Sequence, residues 1–507
     1  MYKAASGWAL LAVLGWTTTI PALADEVQIQ DRILETVGSV DFHPCDLEAQ
    51  GRARRVECAT LAVPEDYDAP NGPTVDLLIT RLKADTANPR PDPFLAIAGG
   101  PGQAASESFL FLDRVFDELD DERTFYLVDQ RGTGHSGRQS CDFPDEEQLM
   151  LEYDAEVTRQ TARECLEQFD GDPRQYTTSV AIRDLEQVRR ALAVPQWNLM
   201  GVSYGTRVVQ HYMRQYPESV RTAVLDSVVY PALNLGPGIA IESQAALDAF
   251  FLRCRETPNC ADRYPQLESQ FEALLNALTE RPRSVTHENM HTGRQITREL
   301  TAAHVIGLVR FSLYHTDQTA LLPPIIYEAH ANDNFAPLAR RAFELIRQSS
   351  QALAIGMHNA VVCTEDVPLI QPDRIDQQPV EATYMGDLVL NALQDTCSVW
   401  PQGVIDPNFK QPLYSDIPTL LFSGEWDPIT PPAYAEKAMR NMSNARHFVL
   451  PGQGHSVSVL GCAPTLVAQF IQSASPAELD GTCLQRLRAT PAFIDFNGPA
   501  QTRKRDD

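Results

Sequence analysis

The chain carries ten cysteines but no Cys-x-x-Cys pair, so neither a clustered zinc site nor a thiol–disulfide redox motif is written into it. It has no excess of basic residues: 42 lysines and arginines face 67 aspartates and glutamates, for a formal net charge of −25. A surface of that sign repels phosphate backbones and anionic lipid, which argues against nucleic-acid binding and otherwise serves solubility. Internal repeats are absent, and only the N-terminal apolar run invites comparison with a membrane span. That run, Trp8 to Trp16, is short and gives way to Thr17, Thr18 and Thr19. Lys3 precedes it, and Ala22-Leu23-Ala24 offers the small residues of a cleavage site before Asp25. Residues 1–24 therefore read as a signal peptide. The mature chain reads as exported, periplasmic or secreted, with no membrane attachment after cleavage.

What is present is globular in composition, 43% hydrophobic and 21% charged over 507 residues. That length suits two or three domains, or one large domain with an insertion. Export to an oxidising space gives the cysteines a use. They fall as sequential neighbours: Cys45 and Cys58, Cys141 and Cys165, Cys254 and Cys260, Cys363 and Cys397, Cys462 and Cys483. Short loops close most easily, so neighbour pairing is the simplest connectivity.

Strand and helix patterns alternate through the first part of the chain. Val56 to Val63 and Thr74 to Lys83 read as paired strands around a turn-rich segment, Pro64 to Pro73. Phe94 to Ala98, Thr124 to Val128, Trp197 to Met200 and Arg221 to Leu225 read as short apolar strands. Ala181, Ile182, Leu185, Val188 and Leu192 mark one face of a helix. Such alternation implies an α/β fold, a mostly parallel sheet with its site at the C-terminal ends of the strands. The alternation stops near Pro231 and resumes at Pro418 to Ser423 and at Arg446 to Leu450. Between them the pattern is mainly helical, as in Ser243 to Cys254, Tyr264 to Leu278 and Leu300 to Tyr314. The expected organisation is a sheet-containing core over 25–231 and 401–490, a large helical cap over 232–400, and a tail over 491–507. A separate helical domain beside the sheet is the alternative.

The strand Trp197 to Met200 runs into Gly201-Val202-Ser203-Tyr204-Gly205, and a helix pattern follows, with Val208, Val209, Tyr212, Met213 and Tyr216 on one face. Strand, Gly-x-Ser-x-Gly, helix is the setting in which a serine is lifted out as a nucleophile, glycines relieving collisions at the tight turn. A serine hydroxyl needs a base. His455 follows a strand and a glycine-rich loop, Pro451-Gly452-Gln453-Gly454, a placement unique among the 11 histidines. The imidazole needs a carboxylate to fix its tautomer. Asp427 follows the preceding strand in Ser423-Gly424-Glu425-Trp426-Asp427-Pro428, with Glu425 as the alternative. The order Ser203, Asp427, His455 is that of α/β hydrolases. The tetrahedral intermediate needs backbone donors: the Tyr204 N–H and one from Gly99-Gly100-Pro101-Gly102. Pro101 has no N–H, which leaves Gly100 or Gly102, with Gly100 preferred. Arg131 is expected to hold its own loop through a buried ion pair, with His135 structural. This chemistry requires no metal or organic cofactor.

Five motifs in order, Gly99 to Gly102, Asp129-Gln130-Arg131-Gly132-Thr133-Gly134, Gly201 to Thr206, Gly424 to Pro431 and Gly454-His455, resemble the tripeptidyl aminopeptidase and proline iminopeptidase family of α/β hydrolases. Tyr176 to Pro231 and the segment with Cys462 and Cys483 look closest to its secreted tripeptidyl-aminopeptidase-like branch. The resemblance implies an α/β-hydrolase fold with a helical cap over the serine, and release of one or a few residues from peptide N-termini. Acidic cap residues would receive the substrate's ammonium group, and Glu365 or Asp366, in Ala360 to Asp366, would serve here. Ala98 stands where many relatives carry histidine, a departure from the short proline iminopeptidases. A carboxylesterase or other acyl-ester hydrolase shares the triad and is the rival reading. A silent binding protein on the same scaffold is disfavoured by the filled triad positions. The implied partner is a peptide substrate, and nothing in the sequence specifies an oligomeric state.

Overall fold

The computed structural model describes residues 28–49, 52–119, 122–141, 153–290, 292–370 and 377–499. The expected signal peptide, residues 1–24, and the last residues of the expected tail lie outside the described residues. The strands are β1 (Gln28–Ile29), β2 (Glu35–Val37), β3 (Val40–Ala49), β4 (Arg52–Pro64), β5 (Thr74–Leu82), β6 (Phe94–Ile97), β7 (Phe125–Val128), β8 (Trp197–Val202) and β9 (Val220–Asp226). After these come β10 (Arg283–Glu288), β11 (Gln295–Leu300), β12 (Thr419–Gly424) and β13 (Ala445–Leu450). The main sheet runs β1-β3-β4-β5-β7-β6-β8-β9-β12-β13, with β2 paired to β3. Its first part, through the β5–β7 pair, is antiparallel, and from β7 to β13 every pair is parallel.

The parallel strands are apolar on both faces because helices cover both. Successive residues divide between two cores. Leu95, Ile97, Trp197, Leu199, Ala223 and Leu225 join one cluster; Phe94, Ala96, Met200, Val224, Leu420 and Phe422 join the other. The first is sealed by the helices Thr178–Ala191, through Ile182, Leu185 and Val188, and Tyr204–Gln215, through Val208, Val209 and Tyr212. The second is sealed by Phe109–Leu119 and Ala463–Ser473, whose Phe116 and Phe470 are buried in it. β7 lies on one side of β6 and β8 on the other, so the chain reverses its direction of travel across the sheet there. Ligand sites of open α/β sheets form at such a switch point.

Between β9 and β12 lies the helical insert. Its helices Pro237–Glu256, Leu267–Glu280, Ala302–Ser312, Leu322–Ala331 and Ala336–Gln351 share a core of their own, running from Ala246 to Leu345. The insert also holds the antiparallel hairpin β10–β11, which helical periodicity does not announce. Leu300 closes that hairpin instead of opening the next helix, which begins at Ala302 behind a Thr301–His304 capping box. A further helix, Ile355–Glu365, packs with the sheet: Met357, Ala360 and Val361 belong to the same cluster as Trp197 and Leu199. All ten cysteines pair as sequential neighbours, Cys45–Cys58, Cys141–Cys165, Cys254–Cys260, Cys363–Cys397 and Cys462–Cys483. Among the described residues no helix is long and apolar enough to cross a membrane.

Candidate active site

Ser203 sits between β8 and the helix Tyr204–Gln215 with φ 55° and ψ −122°. A positive φ is unfavourable for serine and persists only where the surroundings enforce it. Here they do. A Cβ on Gly205 would lie 2.4 Å from the Ile97 carbonyl oxygen, and one on Gly201 2.4 Å from the Gly205 carbonyl oxygen. The turn is therefore pressed against the end of β6. Thr206 Oγ1 donates to the Ser203 carbonyl at 2.6 Å and accepts the Val229 N–H at 2.8 Å, tying the turn to the chain after β9.

Asp427 and His455 come together at the ends of β12 and β13. His455 Nδ1–H donates to Asp427 Oδ2 at 2.8 Å, with Oδ1 at 3.0 Å. Asp427 is held in turn by the N–H groups of Ile429 and Thr430, at 3.0 and 2.8 Å, and by the Thr430 hydroxyl at 2.9 Å. Burial works against both charges. It is outweighed at Asp427 by His455 and these N–H donors, which hold its carboxyl below the usual range. At His455 burial is outweighed by Asp427, with a smaller contribution from Asp226, and the imidazole is raised above its ordinary value. From the insert, the Tyr314 carbonyl accepts the His455 backbone N–H at 2.8 Å, and the Tyr314 ring meets the imidazole edge-on at 4.9 Å. Glu425, the alternative carboxylate, instead accepts the Gly452 N–H at 2.7 Å and shapes the loop before His455.

Asp226 and Ser227, at the end of β9, join the two halves of the site. The Asp226 carbonyl accepts the Ser203 N–H at 2.9 Å. Its buried carboxylate accepts the N–H groups of Val457 and Ser458, at 3.0 and 2.8 Å, and Ser227 Oγ accepts the Ser456 N–H at 2.7 Å. One strand end thus fixes both the serine turn and the chain after His455. Sequence reasoning missed both residues and Thr430. The available signal was an aspartate closing the apolar strand Arg221 to Leu225.

The expected oxyanion donors flank the serine. Tyr204 follows it directly; its side chain is buried and its hydroxyl lies 2.6 Å from Thr178 Oγ1. On the other side, a Cβ on Gly99 would lie 3.1 Å from the Ser203 Cβ, so the Gly99–Gly102 loop abuts Ser203. Gly100 and Gly102 both have φ +106°, which glycine adopts without penalty. The loop is pinned by the Ala354 N–H, which donates to the Gly102 carbonyl at 2.9 Å. In the neighbouring loop Arg131 makes the expected buried ion pair, two contacts of 2.6 Å to Asp184.

Glu365 and Asp366 are placed differently from expectation. Both are buried, at 0% and 1% exposure, and both already have partners. Asp366 receives Arg207 at 2.8 and 2.9 Å, Lys410 at 3.0 Å and the Leu235 N–H at 3.1 Å. Glu365 receives the Thr178 N–H at 2.7 Å and the Thr178 hydroxyl at 3.0 Å. An incoming ammonium group would have to displace internal cations and break these bonds, so the amine-binding role expected of the pair is withdrawn. They clamp the helix Tyr204–Gln215, through Arg207, to the helix Ile355–Glu365.

A family profile described as alpha/beta hydrolase fold matches residues 92–281, and one described as TAP-like protein matches residues 382–483. The chain is similar to a tripeptidyl aminopeptidase of Streptomyces coelicolor, 28% identical over 48% of this chain and 49% of that protein. It is similar to the serine protease Hip1 of Mycobacterium tuberculosis, 25% identical over 82% of this chain and 84% of that protein. A third relative, named carboxylesterase B, of the same species, is 31% identical over 69% of this chain and 71% of that protein. The match spans about half the length of the tripeptidyl aminopeptidases. With the sheet order, the serine turn and these likenesses together, the chain belongs to the α/β-hydrolase family, in its tripeptidyl-aminopeptidase-like branch.

Proposed function

We propose that Ser203, His455 and Asp427 form a catalytic triad, and that the protein is an exported serine aminopeptidase acting near the free N-terminus of peptides. The observation that carries this reading is the 2.8 Å bond from His455 to Asp427, on loops that Asp226 ties to the serine turn. His455 takes the Ser203 proton as the hydroxyl attacks the scissile carbonyl. The oxyanion rests on the N–H groups of Tyr204 and Gly100. His455 then protonates the leaving amine, the acyl-enzyme forms on Ser203 Oγ, and water activated by the same imidazole releases the product. Asp427 orients the ring and stabilises its charged form throughout. Relatives named tripeptidyl aminopeptidase and serine protease support amide substrates. Five disulfides support a destination outside the reducing cytoplasm.

The ammonium group of the substrate needs an acid other than Glu365 or Asp366. Glu242 fits. It lies on the insert helix Pro237–Glu256, accepts the Tyr434 hydroxyl at 3.2 Å, and is partly exposed. Its carboxyl is raised, first by burial and least by the charge of Asp427, against the Tyr434 hydroxyl and Lys437, which lower it. An arriving ammonium group would relieve both penalties.

A second reading, ester hydrolysis, is favoured by the likeness to the relative named carboxylesterase B. The two are separated by mass spectrometry of products from free and N-acetylated peptide libraries, run beside simple acyl esters. Release of N-terminal residues from free peptides alone supports the aminopeptidase. Turnover of esters with both libraries intact overturns it in favour of the esterase.

A further inference from the structure

Buried arginines in this protein come with carboxylates. Arg81 faces Glu35 and Glu57, Arg123 faces Asp92, Arg131 faces Asp184, and Arg207 faces Asp366. Arg253, which is half-buried, has no such partner. It sits on the insert helix Pro237–Glu256, and no carboxylate among the described residues forms an ion pair with it. Its guanidinium lies over the Trp426 ring at 4.8 Å and beside Phe250 at 5.7 Å. One terminal nitrogen reaches Thr319 Oγ1 at 3.5 Å; the other, Nη1, is buried without a hydrogen-bond partner. Burial alone acts on the group and pushes it down to about 10, still charged at neutral pH. The residue as a whole is half-buried, but Nη1 is enclosed, and a guanidinium cannot relieve an unpartnered nitrogen by giving up its proton under ordinary conditions. In a chain with 67 acidic residues, the lack of one at this position needs a reason.

The surroundings supply one. Arg253 lines a small recess open to solvent, together with Phe250, Thr316, Thr319, Trp426 and Gly454. The recess lies where the insert meets both catalytic loops. Trp426 directly precedes Asp427, Gly454 directly precedes His455, and the Trp426 N–H donates to the Gln453 carbonyl at 2.9 Å. Aromatic walls strengthen any charge pairing inside, while the guanidinium fork suits a halide or a planar carboxylate.

We propose that this recess is a binding site for a small monoanion, a halide or a carboxylate, held by Arg253 over Trp426 at the seam between the insert and the two catalytic loops. The occupant supplies the counter-charge that the chain withholds and stiffens the seam. A free ion and a carboxylate carried by the substrate offer the same chemistry.

The test follows thermal unfolding of the mature protein in rising sodium bromide and sodium acetate, beside Arg253→Met, which keeps the packing and removes the charge. The wild type is expected to gain a saturable rise in Tm of roughly 2–4 °C, on top of the general salt response that both proteins share. Bromide soaked into wild-type crystals is expected to give an anomalous peak within hydrogen-bond distance of the Arg253 guanidinium. Parallel salt responses in the two proteins, with no such peak, would overturn the site and leave the cation resting on Trp426 and water. If Arg253→Met does not fold, the bromide peak in the wild type decides alone. Kinetics on peptides with free and amidated C-termini identify the source of the anion. Inhibition by acetate confined to the free acids marks a substrate carboxylate, and equal treatment of both peptides beside a saturable Tm rise marks a free ion. Each supports the site. Ser203→Ala abolishes turnover yet leaves the anion response intact, so failure of the catalytic assignment and failure of this site are distinguishable.

Discussion

Ser203 is held at φ 55° by glycines that could carry no side chain, so the residue is placed by its neighbours and not by its own preference. Ser203→Ala is expected to keep the fold and to lose on the order of 10⁴-fold or more in kcat, read from amide turnover beside a thermal melt. His455 must be neutral to accept the serine proton, and its pKa is raised above 6.5. Activity should therefore climb as pH rises through a value above 6.5. Asp427→Asn should cut kcat by about 10⁴-fold and move the remaining acid limb to lower pH, as a pH–kcat/KM profile would show. Glu242→Gln should raise KM for peptides with a free amine while leaving simple esters unaffected; equal effects on both would remove Glu242 from amine recognition. The turn at Ser203 and the pairing of Asp427 with His455 are legible in the sequence because each residue follows its own strand in a recognisable loop. Asp226 and Thr430 are not, because their work is done through backbone N–H groups that no spacing motif records. Glu365 and Asp366 misled for a physical reason: adjacent acids look alike in sequence whether they face water or, as here, Arg207, Lys410 and Thr178.

The helix Ile355–Glu365 shows how an element can belong to one part of the chain and work in another. It lies within the insert by sequence, yet packs Met357 and Val361 against the sheet and ends on the clamp with Arg207. Burial pushes Glu365 up to about 7 from an ordinary 4.5, with Asp366 adding to the rise and Arg207, Lys410 and the Thr178 N–H opposing it. The folded protein then keeps a proton that the unfolded chain releases, so the contribution of Glu365 to stability falls as pH rises from about 4.5 to about 7 and levels above it, against His304 and His447, which burial lowers to about 4 and whose contributions rise over the same range. Asp366, depressed below 3.8, acts in the opposite sense and only at more acid pH, while Lys410, pushed down to about 8 by burial first, acts above this window. Glu365→Gln should remove this falling contribution, so that stability relative to the wild type increases between about 4.5 and 7, measured as urea midpoints across pH; a profile parallel to the wild type would disprove the assignment. The strands and helices of the sheet were legible because continuous apolar runs alternate with 3.6-residue periodicity. The hairpin β10–β11 was not: its outward residues are polar, its inward ones few, and Val285 and Leu300 read equally well as helical core.

At the scale of the whole molecule, covalent ties and charge oppose each other. A net charge of −25 favours expansion, and five disulfides restrain it. Cys363–Cys397 spans 34 residues and joins the helix Ile355–Glu365 to Leu388–Val399. Replacing both cysteines by serine should cost roughly 2–4 kcal/mol in denaturant unfolding. A cost near zero would show that the clamp at Arg207 holds the helix without the bridge. The α/β class, the interrupted sheet and the neighbour pairing of cysteines could be read from the sequence because they depend on order along the chain. The depth at which each acid lies could not, because it depends on packing between distant segments. Thr419 to Phe422 of β12 pair directly with Ala223 to Asp226 of β9, although the entire insert separates them in the chain. The insert thus leaves the sheet and rejoins it at a single seam, like a cartridge in a mount. With Tyr314, Ala354 and the helix Ile355–Glu365 retained, the outer helices could be exchanged over evolutionary time, or in the laboratory, to change which molecules enter without disturbing the contacts that hold His455 and the Gly99–Gly102 loop.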